Sequence, residues 1–116
     1  MIGRRKYRGN GRQDAAFEVL QGNSARVTGS LHFITVSALL TAGVAAITEG
    51  RATVIDLAGV TASDSAGLAL LIEWLSVAKA ANHALRFENI PSQLKQLARL
   101  SEVEELLVPA EEPVRA

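Results

Sequence analysis

Residues 61–81, Thr-Ala-Ser-Asp-Ser-Ala-Gly-Leu-Ala-Leu-Leu-Ile-Glu-Trp-Leu-Ser-Val-Ala-Lys-Ala-Ala, decide how the rest of the chain is read. They follow Thr53-Val54-Ile55-Asp56-Leu57, a short apolar run with the character of a buried strand. Ser63-Asp64-Ser65 then stands where a helix entrance needs side-chain oxygens, which accept hydrogen bonds from the unpaired N–H groups of the first turn. Beyond Gly67 the apolar residues recur at helical spacing. Leu68, Leu71, Trp74, Leu75 and Ala78 share one face, Leu70, Val77 and Ala81 widen one flank, and Ile72 widens the other. The apolar arc spans roughly 220°, about twice what a helix that only covers a sheet needs. What remains is a small or polar strip of Ala69, Glu73, Ser76 and Ala80, with Ser65 and Ile72 at its edge. Two accounts fit this surplus: a central helix covered by its own domain, or a helix that also presents a face to a partner.

Upstream, Ala16–Leu20 and Ala25–Thr28 flank Gly22-Asn23, a turn signal that predicts a β-hairpin, with Gly29-Ser30 breaking the second strand. Val36, Leu39, Leu40, Val44 and Ile47 then mark the apolar face of an amphipathic helix that stops at Gly50, and its other face carries Ala38, Thr41, Ala42, Ala45 and Ala46. Downstream, Asn82-His83 ends the central helix and Ala84–Glu88 alternates as a further strand. Pro91 opens a helix carrying Leu94, Leu97 and Ala98 on one face. Ser101 and Glu104 form a capping box for a last short helix from Glu102 that buries Val103, Leu106 and Leu107. The order β-β-α-β-α-β-α-α predicts one α/β domain with a mainly parallel four-stranded sheet and helices packed mostly on one side. Its expected limits are a disordered basic tail over 1–13, the domain over 14–108 and a frayed C-terminus over 109–116.

Composition narrows the function. Aromatic residues make up only 4% of the chain against 48% hydrophobic, so the core rests on Leu, Val, Ile and Ala. There is no cysteine for a disulfide or a thiol nucleophile. No apolar run approaches the ~20 residues of a membrane span. Five of the twelve basic residues fall within the first twelve positions, whereas all twelve acidic ones lie from Asp14 onward, leaving that part at −5. Such a body lacks the basic footprint that nucleic-acid binding needs. His32 and His83 match no metal-ligand spacing, no glycine-rich phosphate loop is present, and Ser65 lacks the setting of a nucleophile elbow. Neither catalysis nor a cofactor or metal is expected. Asp64-Ser65-Ala66-Gly67 reads either as a plain helix cap or as a hydroxyl displayed to a partner and open to phosphorylation. A phosphate on Ser65 would be favoured by the helix N-terminus and repelled by Asp64, so it would alter docking sharply.

Val54-Ile55-Asp56-Leu57 followed by Asp64-Ser65-Ala66-Gly67-Leu68 resembles the signature of the STAS domain family, named for sulfate transporters and anti-sigma factor antagonists. The resemblance extends from Phe17 to Leu107, and Thr28-Gly29-Ser30-Leu31 is similar to the family's Thr-Gly-x-Leu turn. His32 and Phe33 replace the acidic residue usual in that loop, and Ala66 replaces the second Ser typical of the antagonists. Gly67–Trp74, Ala78-Lys79 and Leu97–Ser101 are more similar to the branch of STAS subunits in bacterial ABC transporters for the maintenance of lipid asymmetry. That resemblance implies a non-catalytic cytoplasmic subunit, peripheral to the inner membrane. It would bind and support the ATPase of a phospholipid-transporting complex that also holds a permease and a lipid-binding subunit. The implied partner-binding residues are Asp64, Ser65, Ala66, Gly67, Leu68, Ala69, Ile72, Glu73 and Ser76. The alternative the family implies is an anti-sigma factor antagonist switched by phosphorylation of Ser65.

Overall fold

Alternation along the strands sets which side of the sheet the helices cover. The computed structural model describes the backbone of residues 5–8 and all of residues 15–107. Within it, β1 (Arg5–Arg8), β2 (Ala16–Leu20), β3 (Ser24–Leu31), β4 (Val54–Ser63) and β5 (Arg86–Glu88) form one sheet in that order. The first two pairings are antiparallel and the last two parallel. On one face Phe17 pairs with Val27, and Ala25, Ile55 and Phe87 stand in register, all buried. On the other, Glu18, Arg26, Asp56 and Glu88 form a row of charged residues, with Arg26 and Glu88 exposed and Glu18 and Asp56 half-buried. The helices α1 (Phe33–Thr48), α2 (Ser65–Ala80), α3 (Ser92–Leu100) and α4 (Glu104–Leu107) serve the apolar face.

The four expected strands are all present, and two of the three pairings among them are parallel. The fifth strand is a correction. Arg5–Arg8, expected within a disordered tail, lies antiparallel to β2 with Lys6 opposite Glu18. Strand pairing uses backbone N–H and C=O groups, so a run with no apolar alternation can still extend a sheet at its edge. The rest of the expected tail and the expected frayed C-terminus lie outside the described residues. A second correction concerns β3, which Gly29-Ser30 does not end. Gly29 adopts φ +93° and register shifts at Arg26/Thr28 and Gly29/Ser30 absorb the irregularity, so pairing with β4 runs on to Leu31 and Ser63.

The buried face of α1 is rotated from the expected one. Thr35, Leu39, Ala42, Gly43, Ala46 and Ile47 are buried, while Val36, Leu40 and Val44 remain half-exposed. Trp74 of α2 explains the rotation. Its fully buried indole lies flat against Gly43, donates from Nε1 to the Leu40 carbonyl at 3.3 Å, and meets the Phe17 ring at 5.5 Å and 57°. Only a residue without a side chain leaves room for that ring. At the other end of the chain, Glu102 takes φ +63° and Glu104 forms an ion pair with Arg99 at 3.3 Å in place of the expected capping box. Leu107 is buried there, but Leu106 is 52% exposed.

Two outcomes follow from these contacts. Gly43→Ala should lower stability by about 1–3 kcal/mol in urea unfolding through overpacking against Trp74, although alanine's helix propensity alone would add about 1 kcal/mol. The second concerns Asp56, which accepts hydrogen bonds from the Asn89 side chain and the Ala58 N–H, both at 2.9 Å, with Arg26 on the neighbouring strand. These contacts hold its carboxyl below the usual carboxylate range. A depressed folded value means that ionised Asp56 favours the fold above its unfolded pKa of about 3.9 and that this contribution is lost as pH falls through the folded value. Unfolding midpoints of wild type and Asp56→Asn should therefore differ at pH 6 and converge as pH falls through the lowered folded value of Asp56.

Candidate docking face at the N-terminal ends of two helices

The parallel pairing of β3 and β4 ends with Leu31 beside Ser63, so the helices that follow begin side by side. The Asp64 N–H donates to the Leu31 carbonyl at 3.1 Å and stitches the two strand exits together. Asp64 then caps α2, its Oδ1 accepting from the Ala66 N–H at 2.8 Å. His32 caps α1 in an unusual way. Its Nδ1 accepts from the Ile34 N–H at 3.3 Å, while its own N–H donates to Thr35 Oγ1 at 3.0 Å. Thr35 is buried and its hydroxyl reaches the Ser30 carbonyl at 2.9 Å, which fixes the first turn of α1 on the end of β3. From the far side, Gln93 of α3 accepts the Ser63 N–H at 3.0 Å.

Gly67 sits where α2 touches down. A Cβ there would overlap the Ser63 hydroxyl and stand 2.9 Å from the Leu31 Cβ. The close approach that requires glycine is thus made by this domain's own strands. Gly67 and Leu68, expected at the partner surface, are buried, and that expectation is corrected: they seat the helix. The other residues expected there have different positions. Asp64, Ser65, Ala69, Glu73 and Ser76 are exposed, and Ala66 and Ile72 are half-buried. Ser65 occupies the first turn of α2 with its hydroxyl region open to solvent.

Between α1 and α2 lies a groove of ≈ 350 Å³, lined by Val36, Ser37 and Leu40 on one side and Ala66, Ala69, Leu70 and Glu73 on the other. Phe33, one turn ahead of Val36 and Ser37 on the same side of α1, is 81% exposed, and Ile34, about 100° further round the helix, is 61% exposed. Of the residues expected at a partner surface, Ala66, Ala69 and Glu73 line this groove, whereas Leu70 and the whole α1 wall were not among them. The available signal was that α1 carries no charged residue in 16 positions, which is more apolar surface than one buried face can use. Ile72 and Ser76 stand outside the groove lining. Across this face the charged groups of α1, α2 and the α2 cap are confined to Asp64, Glu73 and, in the last turn, Lys79. Among the described residues no group of three or more His, Cys, Asp or Glu side chains could hold a metal ion, and no helix is long and apolar enough to cross a membrane.

Residues 19–109 match the family model described as "Mlab, STAS domain", and the chain belongs to the STAS domain family. Among solved structures it is similar to the anti-sigma factor antagonist SpoIIAA in its unphosphorylated form, with TM-score 0.63 and 17% identity over 85% of this chain and 90% of that one. At that identity the likeness is one of fold. No curated protein matches the sequence. STAS domains mediate protein–protein interactions, and the groove between α1 and α2 is where this one has unused apolar surface. Asp64→Ala should cost about 1 kcal/mol in thermal unfolding, the usual value of an N-cap side chain.

Proposed function

We propose that the chain is the non-catalytic STAS subunit of a bacterial phospholipid-transporting ABC complex that maintains lipid asymmetry, and that it docks on the ATPase through the face formed by the starts of α1 and α2. The observation that carries this reading is the unfilled apolar groove between α1 and α2, with the exposed Phe33 one turn ahead of Val36 and Ser37 on the same side of α1. Burying a large apolar side chain contributes about 1.5–3 kcal/mol, so one such anchor and a groove suit a stable contact. The description of the matching family model, "Mlab, STAS domain", supports this class of complex. In this reading the subunit is cytoplasmic and reaches the inner membrane only through its partners, the ATPase, the permease and the lipid-binding subunit.

The antagonist alternative draws on the exposure of Ser65 in the first turn of α2, where a kinase could reach it. Phosphate found on Ser65 by mass spectrometry after incubation with a candidate anti-sigma kinase would favour that alternative.

The direct experiment is capture of the ATPase subunit from the same organism's lipid-asymmetry transporter. Phe33→Asp and Ala69→Arg each alter an exposed residue and should leave thermal unfolding within about 0.5 kcal/mol of wild type. Both should reduce capture by about ten-fold or more, since each sets a charge into an apolar contact. Ile72→Asp is the weaker choice because Ile72 also packs against the core. Undiminished capture by folded Phe33→Asp and Ala69→Arg would remove the basis for this function.

A further inference from the structure

The docking face has one feature that an apolar contact alone does not use. α1 is uncharged throughout, and Glu73 is the single charged residue that lines the groove. Its carboxylate is exposed and has no hydrogen bond or ion pair among the described residues. The other carboxylate nearby, Asp64, is committed to capping α2. α1 and α2 follow adjacent parallel strands and run side by side, so Glu73 stands about 10 Å, nearly two helical turns, beyond Ala66, which lies at the helix-start end of the groove together with Phe33.

A partner that covers this groove removes water from around Glu73. An uncompensated carboxylate in that position opposes binding, whereas one met by a cation favours a single alignment of the two surfaces. We infer that the partner segment received by the groove carries an Arg or Lys set against Glu73, about two helical turns from the side chain it places near Phe33 and Ala66. This deepens the docking function proposed above and rests on it. A second copy of this chain is the poorer occupant. Its own α1 has no charged residue and its α2 offers only Lys79, in the last turn and away from the groove, so two copies meeting here would each bring Glu73 without a counter-charge.

The full-length chain should be titrated with the ATPase subunit at low and high salt, as wild type, Glu73→Gln, Glu73→Lys and Phe33→Asp, with thermal unfolding of each. Glu73 is exposed, so its variants should fold as wild type. The expected result is a loss of affinity of several-fold for Glu73→Gln and about ten-fold or more for Glu73→Lys, with a salt dependence that is shallower for Glu73→Gln than for wild type. Wild-type binding by both Glu73 variants, with Phe33→Asp still defective, would overturn the inference while leaving the docking face intact. Wild-type binding by all three would overturn both. A wild-type chain that is dimeric alone and becomes monomeric on Phe33→Asp would assign the groove to a second copy and also overturn the inference.

Discussion

The contact of the Trp74 indole with Gly43 governs how this domain is put together. A ring with no exposed surface needs a flat site and a partner for its N–H, and α1 supplies both, the bare backbone of Gly43 and the Leu40 carbonyl. The ring also meets Phe17 on β2, so one side chain joins two helices and the sheet. In a chain with one Trp, one Tyr and three Phe, that junction concentrates much of the large-area packing. It also fixes the rotation of α1. With Gly43 turned toward Trp74, Val36 and Leu40 cannot follow Leu39 into the core and are left flanking the groove. The unfilled groove is thus a geometric result of the same contact that closes the core one turn further along.

Much of the fold could be read because the sequence states it in side-chain periodicity. The hairpin at Gly22-Asn23, the strand through Ile55 and Leu57, the Asp64 cap and the core face of α2 all depend on which side chains point inward, and those stand where their spacing placed them. Other features depend on backbone or on a single tertiary contact, and spacing is silent there. Arg5–Arg8 joins the sheet through main-chain groups. The strand survives Gly29 because a register shift accommodates it. β4 runs on to Ser63 through mostly small residues that carry no apolar alternation because β3 continues beside it. Of the expected α1 face Leu39 and Ile47 are buried, but the rotation that exposes Val36, Leu40 and Val44 could not be read without knowing that Trp74 would select Gly43. His32 as a cap was equally hidden, since its ring nitrogen serves where Ser, Thr, Asp or Asn usually does.

The two sides of the domain have opposite character. The open face of the sheet holds its charge in short-range pairs, Glu18 with Arg26 at 3.0 Å and Arg86 with Glu88 at 2.7 Å, and such exposed pairs contribute little to stability. They keep a broad β surface wet and unattractive to other strands. On the helical side α1 and α2 carry little charge and α1 projects Phe33 and Ile34 outward, whereas α3 and α4 carry Lys95, Arg99, Glu104 and Glu105.

The position of Trp74 also makes the molecule its own probe. It is the chain's only tryptophan, sealed from solvent directly beneath the wall that Leu40 contributes to the groove. Its fluorescence therefore arises from one place, and any occupant that wedges the two helices apart or clamps them together changes the colour and intensity of that emission without a label being attached.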